Sequence, residues 1–210
     1  MRHLIRVFAA AAAVAPLAGP GMAFAQGPTI GTQAPAFTGT DHDGKTVNLA
    51  DYHGKFVVLE WHNNGCPYVK KHYDTGNMQK LQQEWTGKGV VWLTVISSAP
   101  GLQGHVTPEQ SRAYMAGKKG AQTAVLLDPT NEIAYAYNAK VSPQMVIIDP
   151  KGTLIYDGAI DDKPTANRAD IEGAENYVVK ALEEAMAGKA VSNPTNRPYG
   201  CTVKYAETTP

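Results

Sequence analysis

The sequence predicts an α/β domain: a central mixed β-sheet flanked by helices, with an N-terminal β-hairpin extension and an irregular C-terminal tail. Three observations carry this expectation. Two continuous apolar runs of strand length, Phe56 to Trp61 (FVVLEW) and Val90 to Ile96 (VVWLTVI), have the composition of strands buried on both faces of a sheet. Segments of helical period alternate with them. A third apolar run, Gln144 to Asp149 (QMVIID), turns back through Asp149-Pro150-Lys151-Gly152 into Thr153 to Asp157, a short hairpin.

In chain order, Asp43-Gly44 gives the turn signal for a hairpin that closes before Thr46 to Leu49. The strand at Phe56 to Trp61 leads through His62 to Gly65 into Cys66. From Pro67 to about Trp85 the pattern is helical: Pro67 suits a first-turn position, Val69, Tyr73, Met78, Leu81 and Trp85 share a face, and Gly76 marks a kink. After the strand at Val90 to Ile96, Thr107-Pro108-Glu109-Gln110 reads as an N-cap, a first-turn proline and a glutamine that reaches back, opening a helix to about Gly117. Ala124 to Asp128 is a strand and Asn131 to Tyr137 a short helix. Pro143 stands at the mouth of the next strand, where it cannot donate a ladder hydrogen bond and belongs in a constrained turn, with cis geometry open to it. Asn167 to Ala187 is read as one amphipathic helix stopped at Gly188.

Residues 1–25 have the pattern of a secretory signal peptide. Arg2, His3 and Arg6 precede an Ala-rich apolar run, and Ala23-Phe24-Ala25 offers small residues at the positions a signal peptidase reads, so the cut is expected after Ala25. The run is short and interrupted by Pro16, Gly19 and Pro20, unlike a membrane span of about 20 apolar residues. The expected location is periplasmic or secreted. Residues 26–190 then form one domain, and 191–210, rich in Pro, Asn and Thr, the tail. With 43% hydrophobic and 18% charged residues and a net charge of zero, the chain has the composition of a soluble domain and no broad field directed at nucleic acid or an anionic membrane.

The two cysteines, Cys66 and Cys201, are too few for a disulfide framework. Cys66 falls where a strand ends and a helix begins. There unpaired backbone N–H groups and the positive end of the helix dipole favour the thiolate, the form that attacks disulfides and peroxides. Either product needs a second thiol to release it, and Cys201 is the sole candidate in the chain.

The succession of strand, cysteine-opened helix, strand, helix, proline, antiparallel hairpin and closing helix resembles the thioredoxin-like superfamily. Gly31-Thr32-Gln33-Ala34-Pro35-Ala36-Phe37, Asp43-Gly44-Lys45 and Tyr52-His53-Gly54-Lys55 before an apolar strand are similar to its redoxin branch, the alkyl hydroperoxide reductase and thiol-specific antioxidant type, over Thr29 to Ala187. The resemblance implies a thioredoxin-like fold for the domain at 26–190, with Cys66 as the attacking cysteine and Pro143 as the cis proline that faces it. Val69 stands where a Cys-x-x-Cys motif has its second thiol, Asn63 where peroxiredoxins carry a threonine, and Leu59 where they carry a proline. Some two-cysteine relatives hold the resolving cysteine on a mobile tail, which implies that role for Cys201.

The expected function is thus an exported thiol-dependent oxidoreductase. Cys66 attacks a protein disulfide or a peroxide, Cys201 resolves, and an unidentified thiol supplies electrons. Trp61, Asn63, Asn64, Pro67, Tyr68 and Ser142 are expected around the sulfur, Asn63 and Asn64 as hydrogen-bond donors and Trp61 and Tyr68 as an apolar rim. The loop at Ser97 to Gln103 is expected as a wall of the site. The chemistry requires no cofactor, and no metal ligand is assigned. The alternative is a non-enzymatic periplasmic domain: either a static Cys66–Cys201 tie, or a copper site drawing on His62, Cys66 and His72 with Met78 or Met145. Lys70, Lys71 and His72 are read as an exposed helix face or as a charge beside the thiolate, and Glu60 as a proton shuttle or a carboxylate paired with a lysine.

Overall fold

The computed structural model describes residues 27–206. The expected secretory signal lies outside the described residues. Seven strands form one mixed sheet in the order β2-β1-β5-β4-β3-β7-β8. The two buried runs become β3 (Val57–Trp61) and β4 (Val91–Ile96), parallel neighbours at its centre with Val57 opposite Val91. Strand β5 (Ala124–Leu127) extends the parallel part. The expected hairpin, β1 (Thr38–Asp41) and β2 (Thr46–Asn48), pairs antiparallel onto β5, and β7 (Met145–Ile148) with β8 (Leu154–Gly158) does the same beyond β3.

Helices cover both faces because alternate side chains of the central strands need apolar partners on opposite sides. Val58, Trp92 and Ile147 meet α1 (Pro67–Asp74), α2 (Asn77–Gly87), Met115 of α3 (Pro108–Lys118) and α5 (Tyr177–Met186). Val57, Leu59, Leu93 and Val95 meet Ile133, Ala134 and Tyr137 of α4 (Glu132–Tyr137). The capping box read at Thr107 is formed in full: its hydroxyl accepts from Gln110 N, and the Gln110 side chain accepts from Thr107 N.

Two elements differ from expectation. The long helix after Cys66 is two helices, because Gly76 takes a left-handed conformation (φ 77°) that ends one and starts the next. The closing helix is shorter than Asn167–Ala187. Asn167 caps only a 3-10 turn at Arg168–Ile171, and the α-helix begins where the Asn176 side chain accepts from Val179 N.

The described part of the tail, residues 191–206, carries little regular structure, yet it is fastened at several points. Asn196 Oδ1 accepts from Ala159 N at 2.7 Å and its amide donates to the Tyr156 hydroxyl at 2.9 Å. Further on, β9 (Cys201–Thr202) pairs antiparallel with β6 (Val141–Ser142), Val203 is buried, and the Tyr205 hydroxyl donates to Ala139 O at 2.7 Å. The tail therefore crosses the end of the sheet at which β3 delivers Cys66.

Candidate active site around Cys66

Cys66 is the N-cap residue of α1, in extended conformation, with Pro67 opening the helix. Its placement follows from a turn: Asn63 O accepts from Cys66 N at 3.0 Å, and the Asn63 side chain accepts from Gly65 N at 2.9 Å. The residue is fully buried and disulfide-bonded to Cys201, 135 residues away, with 5.9 Å between Cα atoms. Cys201 is only partly buried. The Cys66 sulfur lies 3.1 Å from the Ser142 carbonyl oxygen, and the Ser142–Pro143 peptide is cis. Cys201 sits opposite Ser142 in the β6–β9 pair, so strand register brings the two sulfurs together.

The expected neighbours separate into two groups. Ser142, Pro143, Pro67 and Tyr68 lie with the disulfide; Tyr68 packs edge-on against Tyr199 of the tail at 5.8 Å. Asn63 is committed elsewhere, its amide donating to Gln103 Oε1 at 2.9 Å and so joining the turn to the loop at 97–104. Asn64 is half-buried on the same turn. Trp61 is not brought to the sulfur. Alternation along β3 sends it to the opposite face, where its ring meets Tyr137 at 5.8 Å and its indole N–H donates to Ser97 Oγ.

Two buried polar clusters support the site. The first centres on Glu60, fully buried on β3. Its carboxylate accepts from Tyr73 Oη (2.8 Å), Gln82 Nε2 (3.1 Å), Trp92 Nε1 (2.8 Å) and Thr94 Oγ1 (3.2 Å), with His62 Nδ1 at 3.6 Å. Burial pushes this carboxyl up, but His62 and the Trp92 and Tyr73 donors together outweigh it and hold the group below the usual range. Of the two readings of Glu60, the satisfied carboxylate fits these contacts, with Tyr73, Gln82, Trp92 and Thr94 as its partners in place of a lysine.

The second cluster overturns the reading of Lys71 and His72 as an exposed face. Both are buried on α1, and only Lys70 of the trio faces solvent. Lys71 Nζ donates to Lys163 O at 2.8 Å and lies 3.5 Å from Asp161 Oδ2. His72 meets Asn77 Nδ2 at 2.8 Å and stands 3.9 Å from the same Asp161 oxygen. Burial lowers its pKa to about 4. Asp161 also accepts the hydroxyl of Tyr199, whose proton is held firmly by burial and by that carboxylate. Asp161 follows β8 and Tyr199 belongs to the tail, so no local pattern around α1 announces the cluster.

A cavity of about 570 Å³ lies toward the far end of the sheet, lined by Phe56, Leu154 and Ala185 among others, and no cysteine or histidine lines it. Among the described residues no group of three or more His, Cys, Asp or Glu side chains is placed to hold a metal ion. No helix of the described residues is long and apolar enough to cross a membrane.

A cysteine at a strand-to-helix junction, faced by a cis proline on a mixed sheet, defines a thioredoxin-like fold. Residues 30–157 match the model of the AhpC/TSA family, and the chain belongs to it. Thiol-disulfide oxidoreductase ResA of Bacillus subtilis is 26% identical over 125 residues, 60% of this chain and 64% of the relative. The chain thus spans less than two thirds of the length of such curated relatives. The crystal structure of an uncharacterized conserved protein from Geobacillus kaustophilus is similar over 86% of this chain and 94% of its own, with 26% identity and a TM-score of 0.76. A putative Thiol:disulfide interchange protein DsbE from Chlorobium tepidum shares the fold at 22% identity and a TM-score of 0.51, over 62% of this chain and 84% of its own. The family match ends before the tail, and Cys201 lies outside it.

Proposed function

We propose that the chain is an exported thiol-disulfide oxidoreductase in which Cys66 is the attacking thiolate and Cys201 the resolving thiol. One observation carries the reading: Cys66, at the N-cap of α1 and beside Pro143, is bonded to Cys201 on a strand that pairs with Ser142. In the reduced protein the Cys66 thiolate attacks one sulfur of a substrate disulfide, whose other sulfur leaves as thiolate with the bonding electron pair. The Cys201 thiolate then attacks Cys66, expels the bound substrate thiol and closes the intramolecular disulfide.

Accessibility sets the order of the return half-cycle. Cys66 is fully buried and Cys201 is not, so a donor thiolate reaches Cys201 first and Cys66 departs as the free thiolate. Engagement of the Asn63 amide by Gln103 favours disulfide over peroxide as the oxidised substrate, as do the names of the ResA relatives. Export is supported by the pattern of residues 1–25 and by a disulfide that persists in oxidising compartments. The arrangement is then a signal at 1–25, a redoxin domain at 26–190 and a resolving tail at 191–210.

The test is the alkylation rate of reduced Cys66 by iodoacetamide against pH, in the native sequence and in Cys201→Ser, with peroxide consumption followed in parallel. A midpoint well below that of a free thiol, about 8.5, is expected. A Cys66 that alkylates like a free thiol would leave the disulfide as a static tie.

A further inference from the structure

We propose that residues 199–203 occupy the groove that receives a polypeptide substrate, and that this groove selects extended segments with an aromatic residue and a glycine immediately before the reacting cysteine and an aliphatic residue two places after it. This rests on the reading of Cys66 as the attacking thiol and adds what that thiol attacks.

The tail docks on the site as a peptide ligand would. Its main chain adds a strand to β6, with Ser142 opposite Cys201 and Val141 opposite Thr202, and Val203 N donates to Lys140 O at 3.0 Å. Such backbone bonds give affinity without regard to sequence, and side-chain pockets on either side give selection. Among the described residues β9 is the sheet partner of β6, so its departure leaves that short edge with unpaired backbone groups, a template for another extended chain.

Three fits are specific. Two places before the cysteine, the Tyr199 ring packs on Tyr68, lies 5.5 Å beneath Lys71 Nζ and hydrogen-bonds Asp161. One place before it, Gly200 (φ 151°) passes so close to the Ser142–Pro143 peptide that a Cβ would overlap the Ser142 carbonyl. Two places after it, Val203 is buried in the cluster that holds Trp61 and Tyr137. A disulfide used only as a tie requires none of these, because the covalent bond already fixes the end of the loop. Together they describe a recognition surface for aromatic-Gly-Cys-x-aliphatic sequences, filled by the chain's own copy when the enzyme is oxidised. Resolution is then also a strand exchange: β9 returns to β6 as the product peptide leaves it.

The probe is a peptide of residues 197–205 whose cysteine forms a mixed disulfide with thionitrobenzoate, mixed with the reduced full chain carrying Cys201→Ser. Attack by Cys66 forms the Cys66–peptide disulfide and releases the coloured thiolate. The parent peptide is expected to react about tenfold or more faster than peptides with Tyr199→Ala, Gly200→Ala or Val203→Ala. Placing Tyr199→Ala in the protein instead, beside Cys201→Ser, weakens the competing tail and is expected to speed the reaction with the parent peptide. Rates within about twofold across all four peptides would overturn the inference. The small disulfide dithiobis(nitrobenzoate) separates the two levels. If Cys66 reacts fast with it yet ignores the peptide sequence, only the groove is refuted; if Cys66 is as slow as free cysteine with both, the oxidoreductase reading fails as well.

Discussion

The hydroxyl of Tyr199 donates to the carboxylate of Asp161, joining the tail, two residues before its cysteine, to a buried cluster on the helix that Cys66 opens. The bond lies outside the disulfide itself but acts on it, because it holds Cys201 where Cys66 can reach it. Lys71 beside Asp161 and Tyr68 against the Tyr199 ring belong to the same latch.

Removing that hydroxyl loosens the oxidised form more than the reduced one. A hydrogen bond to a charged group contributes about 1.5–3 kcal/mol, so Tyr199→Phe is expected to make the disulfide about ten- to a hundredfold easier to reduce at equilibrium. Titration against a dithiothreitol redox buffer measures this. Asp161→Asn, which keeps an acceptor oxygen but loses its charge, should shift the equilibrium in the same direction, and the double variant by less than the sum, since both act on one bond.

Gly200→Ala sets a side chain against the Ser142 carbonyl at a backbone conformation that disfavours one. The β6–β9 pair must then part. Oxidation of the reduced variant by glutathione disulfide is expected to stop at mixed disulfides in place of the Cys66–Cys201 bridge, as read by mass after acid quench, while the domain's far-ultraviolet circular dichroism is retained.

His72 makes stability depend on pH in a defined window. In the folded chain its pKa is lowered to about 4 by burial, against the partly opposing pull of Asp161 and Glu60 and with the help of Lys71. The unfolded chain takes up the proton at about pH 6.5, so this contribution is complete above that value and is lost as pH falls toward 4, by about 3 kcal/mol in total. His72→Gln should flatten the fall in urea midpoint between those limits. Glu60, with its folded pKa lowered, acts at more acid pH: its contribution is present above the unfolded carboxyl value and is lost as pH drops through the folded one.

The framework was legible because its signals are local. The apolar runs at 56–61 and 90–96 give the central strands, and Thr107 with Gln110 gives a cap that forms as read. Of the candidate site, what chain order alone positions was legible: Cys66 at a helix start and Pro143 before a strand. What escaped depends on tertiary partners. Lys71 and His72 look like a solvated face until Asp161 arrives from beyond β8. Trp61 could have been placed correctly, since alternation along β3 sends it and Glu60 to opposite faces. The one local signal for Glu60 was a charged residue within an otherwise apolar buried strand, and for the latch, a glycine directly before Cys201.

The most direct measurement is the mass of the reduced protein after brief exposure to glutathione disulfide, with and without Cys201→Ser. The unsubstituted chain should lose two hydrogen atoms, forming Cys66–Cys201 as glutathione disulfide is reduced to two glutathione thiols, while the variant should hold one glutathione on Cys66. An unmodified variant, or an unsubstituted chain that keeps the adduct, would contradict a Cys66 nucleophile resolved by Cys201.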